Sequence, residues 1–176
     1  MSGILKRSTH KANEMRRAIL NLLETNSRLT PSEIAAMLGR SEDEVAAEIK
    51  KMEDENIICG YHTLIDWDKL GQERVTALIG VKISPVRGEG FDRISTRISN
   101  FEEVKSVYLL SGSSNDLMLT IEGDSLKDIA HFVYSKIAPM DTVVSTATYF
   151  VLKKYKEHHV SFTGQREDDE RIQMTP

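Results

Sequence analysis

Two hydroxyl–carboxylate pairs, Thr30 with Glu33 and Ser41 with Glu44, have a spacing with a definite chemical consequence. In each, a hydroxyl at a helix N-cap accepts from the amide three residues on, while the carboxylate there reaches back to the cap's own amide. Pro31 suits the first helical position, and Gly39 suits the left-handed residue that ends a helix. The stretch TPSEIAAMLGRSEDEVAAEIKKMED (30–54) therefore reads as two short capped helices around a glycine turn. Ile34, Ala35 and Leu38 line the first; Val45, Ile49 and Met52 line the second. A small residue at Ala35, the turn glycine and a β-branched Val45 suit a helix-turn-helix, whose second helix is presented to a DNA groove. An ordinary αα-hairpin would use the same devices.

Other chemistry is thinly represented. His10, His62, His131 and the pair His158-His159 are scattered, without the spacing of a metal site. No Ser/His/Asp grouping, phosphate-cradling glycine loop or nucleotide fingerprint occurs, so neither an enzyme nor a cofactor is expected. Cys59 is alone, which fits a reducing cytosol and a cytoplasmic protein. There is no apolar run of membrane-spanning length, and the basic start MSGILKRSTHKANEMRR lacks a signal-peptide core, so no membrane partner is expected. The net charge of −4 excludes an overall positive coat but not a local basic patch. Residues 1–17 are basic, whereas residues 41–56 carry seven acids against Lys50 and Lys51. That acidity is awkward for a groove-reading helix.

The elements that position these residues fall into two halves. A first helix over about Ala12 to Glu24 buries Met15, Ile19, Leu22 and Leu23. Ile57-Ile58 and Gly60–Ile65 read as the strand of a wing. The expected divisions are a winged helix-turn-helix over 11–65, a hinge over 66–74, a second domain over 75–155 and a tail over 156–176. From Val75 the apolar period becomes two: Val75, Ala77, Ile79, Val81 and Ile83 share a face. A helix over 91–100, strands over 105–111 and 117–122, a Ser125-capped helix with Leu126, Ile129, Ala130, Val133 and Ile137 inward, and a strand over 143–152 complete βαββαβ. The fold class is α+β, with a ferredoxin-like second domain.

The other parity of the sheet is also apolar: Leu78, Tyr108, Leu110, Met118, Val144, Phe150 and Leu152. A sheet with one wet face should alternate. With no third layer in the chain, a sheet-to-sheet homodimer is the economical cover. The polar tail from Ser161 is the less suitable one.

These halves, in this order, resemble the Lrp/AsnC family of amino-acid-responsive bacterial and archaeal regulators. The likeness is carried by ILNLLETNSRLTPSEIAAMLG (19–39), residues 45–66, VTALIGVKI (75–83), VKSVYLLSG (104–112) and TATYFVLKKYK (146–156). The resemblance implies a dimer, often built into tetramers or octamers, that binds double-stranded operator DNA and takes a small-molecule effector, usually an amino acid. The enzymes similar to this family, siroheme decarboxylases, carry a His-Asn-Tyr run that this chain lacks. The family's effector loop has the form Thr/Ser-Gly-x-x-Asp; here Ser111-Gly112-Ser113-Ser114-Asn115-Asp116 is one residue longer if Asp116 is the acid. Either Asp116 plays that part or Asn115 does. Amides around Gly112 would meet a carboxylate and Asp116 an ammonium, with Thr146 and Thr148 as further contacts. A solvated turn would use the same residues.

Where the family usually has arginine in its second helix, this chain has Glu48. Phosphate contacts are then expected from Arg28, Ser32, Arg40, Ser41, Lys50 and Lys51, with Lys6, Arg7 and Lys11 before them. Glu44 or Glu48 would accept from cytosine amino groups. The competing expectation is an effector-sensing or assembly protein with weak or no DNA binding.

Overall fold

The computed structural model describes residues 2–72, 74–84, 90–111 and 114–162, and for 2–12 the backbone alone. The chain divides into two compact units between Thr63 and Leu64, so the expected hinge falls inside the second.

The first unit has three helices: α1 (Ser2–Thr25), α2 (Pro31–Leu38) and α3 (Glu42–Asp54). Helix α1 begins ten residues before the expected start. Its buried Ile19 and Leu23 meet Ile34 and Ala35 of α2 and Val45 and Met52 of α3, with Met15, Leu22, Leu38 and Ile49 packed around them. The expected wing strand is absent. Residues 57–65 form no ladder, and Ile57, Tyr61 and Ile65 are exposed. A strand needs a neighbour to pair with.

The second unit contains β1 (Val75–Ile83), α4 (Asp92–Ser99), β2 (Val104–Leu109), β3 (Leu117–Gly123), α5 (Leu126–Phe132) and β4 (Val143–Phe150). The sheet is antiparallel in the order β2-β3-β1-β4, the ferredoxin-like arrangement. Ala77, Ile79 and Val81 pair with Ile121, Leu119 and Leu117, and these face Ile94 and Ile98 of α4 and Ile129 and Phe132 of α5. Helix α5 runs on into a π turn, Val133–Ile137, in which the Ala138 amide donates to the Val133 carbonyl at 2.8 Å. The expected stripe holds at Ile129, Val133 and Ile137 but not before the π turn: Phe132 is inside, whereas Leu126 and Ala130 are exposed.

Strand β4 carries a second correction. Ile83 pairs with Val143 but Lys82 with Ser145, leaving Val144 as a bulge. One extra residue reverses the parity of everything after it. Phe150 pairs with Ala77 on the helix side, together with Thr146 and Thr148. Leu152 lies past the strand, almost wholly exposed. The open face therefore holds Leu78, Met118, Tyr108 and, unexpectedly, Tyr149. Leu78, Tyr108 and Tyr149 are 38%, 59% and 56% exposed.

The tail is not featureless as far as Ser161: β5 (Lys156–Glu157) and β6 (Val160–Ser161) form a hairpin. Its turn places His158 and His159 at φ 43° and 67°.

Candidate functional site

Both capping boxes form. The Glu33 amide donates to Thr30 Oγ1 at 3.3 Å, and the Thr30 amide donates to Glu33 Oε2 at 2.7 Å. The Glu44 amide donates to Ser41 Oγ at 3.3 Å, and the Ser41 amide to Glu44 Oε2 at 3.4 Å. Those bonds hold the Glu33 carboxyl below the usual range, the Thr30 amide contributing most. Gly39 closes α2 at φ 62°. The cap commits Glu44, so the first acids of α3 complement the helix dipole.

Glu48 is committed too. Arg16 of α1 donates through Nε to Glu48 and through its two terminal nitrogens to Glu55, at 2.9 and 3.4 Å. The Arg16 and Glu48 side chains are 19% and 18% exposed. The hydrogen bonds from Arg16 hold the Glu55 carboxyl below its usual value; those to Glu55 and then Glu48 raise Arg16. Glu48, expected as a base-edge acceptor, is here part of a clamp between α1 and α3. In the sequence Arg16 is one cation of a basic stretch. Nothing local marks a contact across 32 residues. Tyr61 is a second such residue: its hydroxyl donates to Glu53 Oε1 at 2.8 Å.

Around the helix pair, Arg28, Ser32, Arg40, Ser41, Lys50 and Lys51 are all exposed. The exposed side of α3 also carries Asp43, Ala47 and Asp54, and Lys50 meets Asp54 at 3.5 Å. Of the N-terminal cations, Lys6, Arg7 and Lys11 lie outside the described side chains.

In the second unit, Asp116 is bound on both oxygens. Oδ1 accepts from Lys82 Nζ at 3.0 Å and Oδ2 from the Ile83 amide at 2.8 Å. Its own amide donates to the Val81 carbonyl at 2.9 Å. The Ile83 amide first, then Lys82, hold its carboxyl below the usual range, offset in part by desolvation. Asn115 lies over Gly80, its Nδ2 2.4 Å from where a Cβ would stand, so any larger residue there would displace the Asn115 amide. Ser114 is exposed, and Gly112 and Ser113 lie outside the described residues. Thr146 and Thr148 pair with Val81 and Ile79 on the helix side of β4. Gly80, beneath Asn115, lies on the open face. One protomer therefore does not bring the threonines and Asn115 together.

Two family models cover these units: a winged helix-turn-helix DNA-binding model over residues 13–58, and the Lrp/AsnC ligand-binding domain over 76–161. An HTH-type transcriptional regulator of Bacillus subtilis, YugG, is 47% identical over 168 residues, 94% of this chain and 99% of that protein. This chain belongs to the Lrp/AsnC family. Among solved structures, MtbAldR has a TM-score of 0.70 at 24% identity, over 81% of this chain and 95% of that one. A transcriptional regulator of Neisseria meningitidis in complex with L-Met has a TM-score of 0.64 at 26% identity, over 81% and 91%. As a Lrp/AsnC protein the chain is a DNA-binding transcriptional regulator whose second domain takes a small-molecule effector. No described helix is long and apolar enough to cross a membrane, and no group of three metal-ligating side chains occurs among the described residues.

Proposed function

We propose that this regulator responds to an amino acid and binds DNA in the cytoplasm as a homodimer, or a larger assembly of dimers, joined through the open sheet faces. The observation that carries the DNA half is the Arg16 clamp, which removes Glu48 from the solvent-facing charge of α3. Lys50 and Lys51 then stand beside Arg28, Ser32, Arg40, Ser41 and Lys11 as phosphate contacts. Two reading helices carried by one dimer multiply a modest affinity per head. Burying Leu78, Tyr108, Met118 and Tyr149 against a second copy stabilises a dimer by about 1.5–3 kcal/mol for each large side chain fully covered.

The effector half rests on the loop from Ser111 to Asp116. An amino acid would offer its ammonium to Asp116, competing with Lys82, and its carboxylate to amides near Gly112 and Ser113, with Ser114 and Asn115 at the rim. Thr146 and Thr148 lie on the helix side of the sheet, away from this loop and from the open-face seam, and take no part in this reading. The L-Met complex of the Neisseria regulator supports this class of effector.

Titrating the full chain into duplex DNA across a salt series tests the first half. Affinity should fall log-linearly with salt, by several counterions per dimer; a flat response ends it. A thermal-shift screen of the twenty amino acids tests the second. A ligand at a hundred times its Kd adds about 2.7 kcal/mol, and no shift from any of them ends the amino-acid reading. Sedimentation showing a monomer in dilute solution would end the dimer.

A further inference from the structure

Where β1 ends, a cavity of about 300 Å³ opens on the helix side of the sheet, opposite the face assigned above to a second copy. Its floor is apolar: Ile83, Ile94 and Met140 line it, and each is buried in the core of this unit. Its rim is not. Arg93 and Arg97 of α4 and Asp141 border the same space.

Arg93 and Arg97 are four residues apart and therefore neighbours on one helix face, directly beside the buried stripe of Ile94 and Ile98. Two like charges at that spacing repel each other, and an anion between them relieves the repulsion. The Arg97 guanidinium has no ion pair among the described residues. Arg93 already interacts with another residue, so a ligand there would share it. A guanidinium beside an apolar wall suits a planar carboxylate on a hydrocarbon body. The volume is at the small end for ligand pockets, which limits the body to roughly five or six carbons. Asp141 repels a second anionic group, so dicarboxylates and phosphates fit poorly.

We propose that this cavity is a second ligand site, separate from the Ser111–Asp116 loop, that binds a short branched monocarboxylate. The carboxylate accepts a charge-assisted hydrogen bond from Arg97, with Arg93, which keeps its present partner, adding its charge. The alkyl end lies on Ile83, Ile94 and Met140. Ile83 also donates its amide to Asp116, so an occupant pressing on the Ile83 side chain bears on the strand end that holds the effector loop.

The probe is 4-methylpentanoate, titrated calorimetrically into the full chain. Saturable binding is expected, and Arg97→Gln combined with Arg93→Gln should weaken it at least about tenfold, the loss of one charge-assisted hydrogen bond. The neutral 4-methylpentanamide should not bind. L-Leucine carries the same carboxylate and alkyl end with an ammonium that Asp141 can meet. Leucine binding lost in the arginine variant identifies an amino acid as an occupant, whereas binding by the probe alone identifies the deaminated acid. In the unaltered protein, the Met140 methyl resonance, assigned through Met140→Leu, should move on addition of the probe, a readout independent of how the arginine variant folds. No saturable binding, equal binding of the amide, or an unmoved Met140 resonance would overturn the site. Asp116→Asn keeps both arginines. If probe binding follows Asp116 instead of the arginines, the ligand occupies the loop and this proposal falls while the amino-acid reading stands.

Discussion

Each unit of the chain has an acid that the sequence offers to a ligand and the fold ties to a cation of its own. In the helical unit Glu48 is held by Arg16; in the sheet unit Asp116 is held by Lys82 and the Ile83 amide. The two ties differ in kind. Arg16 is a planar fork that engages Glu48 and Glu55 at once and joins two helices 32 positions apart. Such geometry is fixed, and no small ligand can replace it. Lys82 is a point charge on a flexible stem, one of two donors to Asp116, and another ammonium can take its place. The first tie sets the shape of a reading head. The second can be exchanged.

The largest expected effects concern the cores behind these ties. Ile19→Ala and Ile79→Ala each empty a fully buried position, at a cost of about 2–5 kcal/mol. The outcomes should still differ. Among the described residues the helical core has six that are buried, so Ile19→Ala should melt that unit ahead of the sheet and give calorimetry two transitions. Ile79→Ala, within a larger core, should lower the melting of the sheet unit and leave the helical signal in place.

Next come the two ties themselves. If Lys82 competes with an effector ammonium, Lys82→Met should tighten amino-acid binding. Asp116→Asn should abolish the roughly 2.7 kcal/mol of stabilisation expected at a hundred times Kd. Both are read by thermal shift. A Lys82→Met protein that binds more weakly would make Lys82 part of the site instead. In the head, Arg16→Glu places a third acid beside Glu48 and Glu55; it should weaken DNA binding and lower helical stability together. Adding Glu48→Arg should recover part of both, and a double-mutant cycle measures the coupling.

What the sequence made legible was local. Both caps, the Gly39 turn and the alternation of 75–83 follow from spacings of two to four residues, and all three are present. The misread features depend on partners far along the chain or on one inserted residue. Arg16 needed the packing of α1 on α3 to reveal its role. The bulge at Val144 reversed β4, moving Tyr149 onto the open face and Phe150 off it. The β5–β6 hairpin turns on two histidines with positive φ, where asparagine and glycine would have signalled it. For the candidate site, the exposed rim of the helix pair was legible because capping fixes which residues are left outside. The loop from Ser111 was legible as a turn, but the partners of Asp116 were not.

The caps give a smaller, separable effect. Thr30→Ala and Ser41→Ala each leave a helix N-terminus with one amide fewer satisfied, about 1 kcal/mol of stability. Ser41→Ala should also weaken DNA binding more than Thr30→Ala does, because Ser41 starts the helix proposed to enter the groove and is itself a proposed phosphate contact. Equal losses of affinity would mean that Ser41 acts only through its cap.

The smallest effect is set by pH, and it separates the two ties by where it begins. Glu55 and Asp116 both have carboxyls lowered in the folded protein, from ordinary values of 4.5 and 3.8. A group lowered on folding gives its full stabilisation above the ordinary value and loses it as pH falls through the lower, native one. The contribution of Glu55 should therefore begin to fail below about 4.5, before that of Asp116, which persists to below 3.8. The Glu55 side chain is the more exposed of the two, so salt should shrink its contribution more than that of part-buried Asp116. Carboxyl carbon titrations by NMR give the two native values directly. In Arg16→Gln the Glu55 titration should return toward its ordinary value while Asp116 stays low, and in Lys82→Met Asp116 should move only part of the way, since the Ile83 amide, its stronger partner, remains.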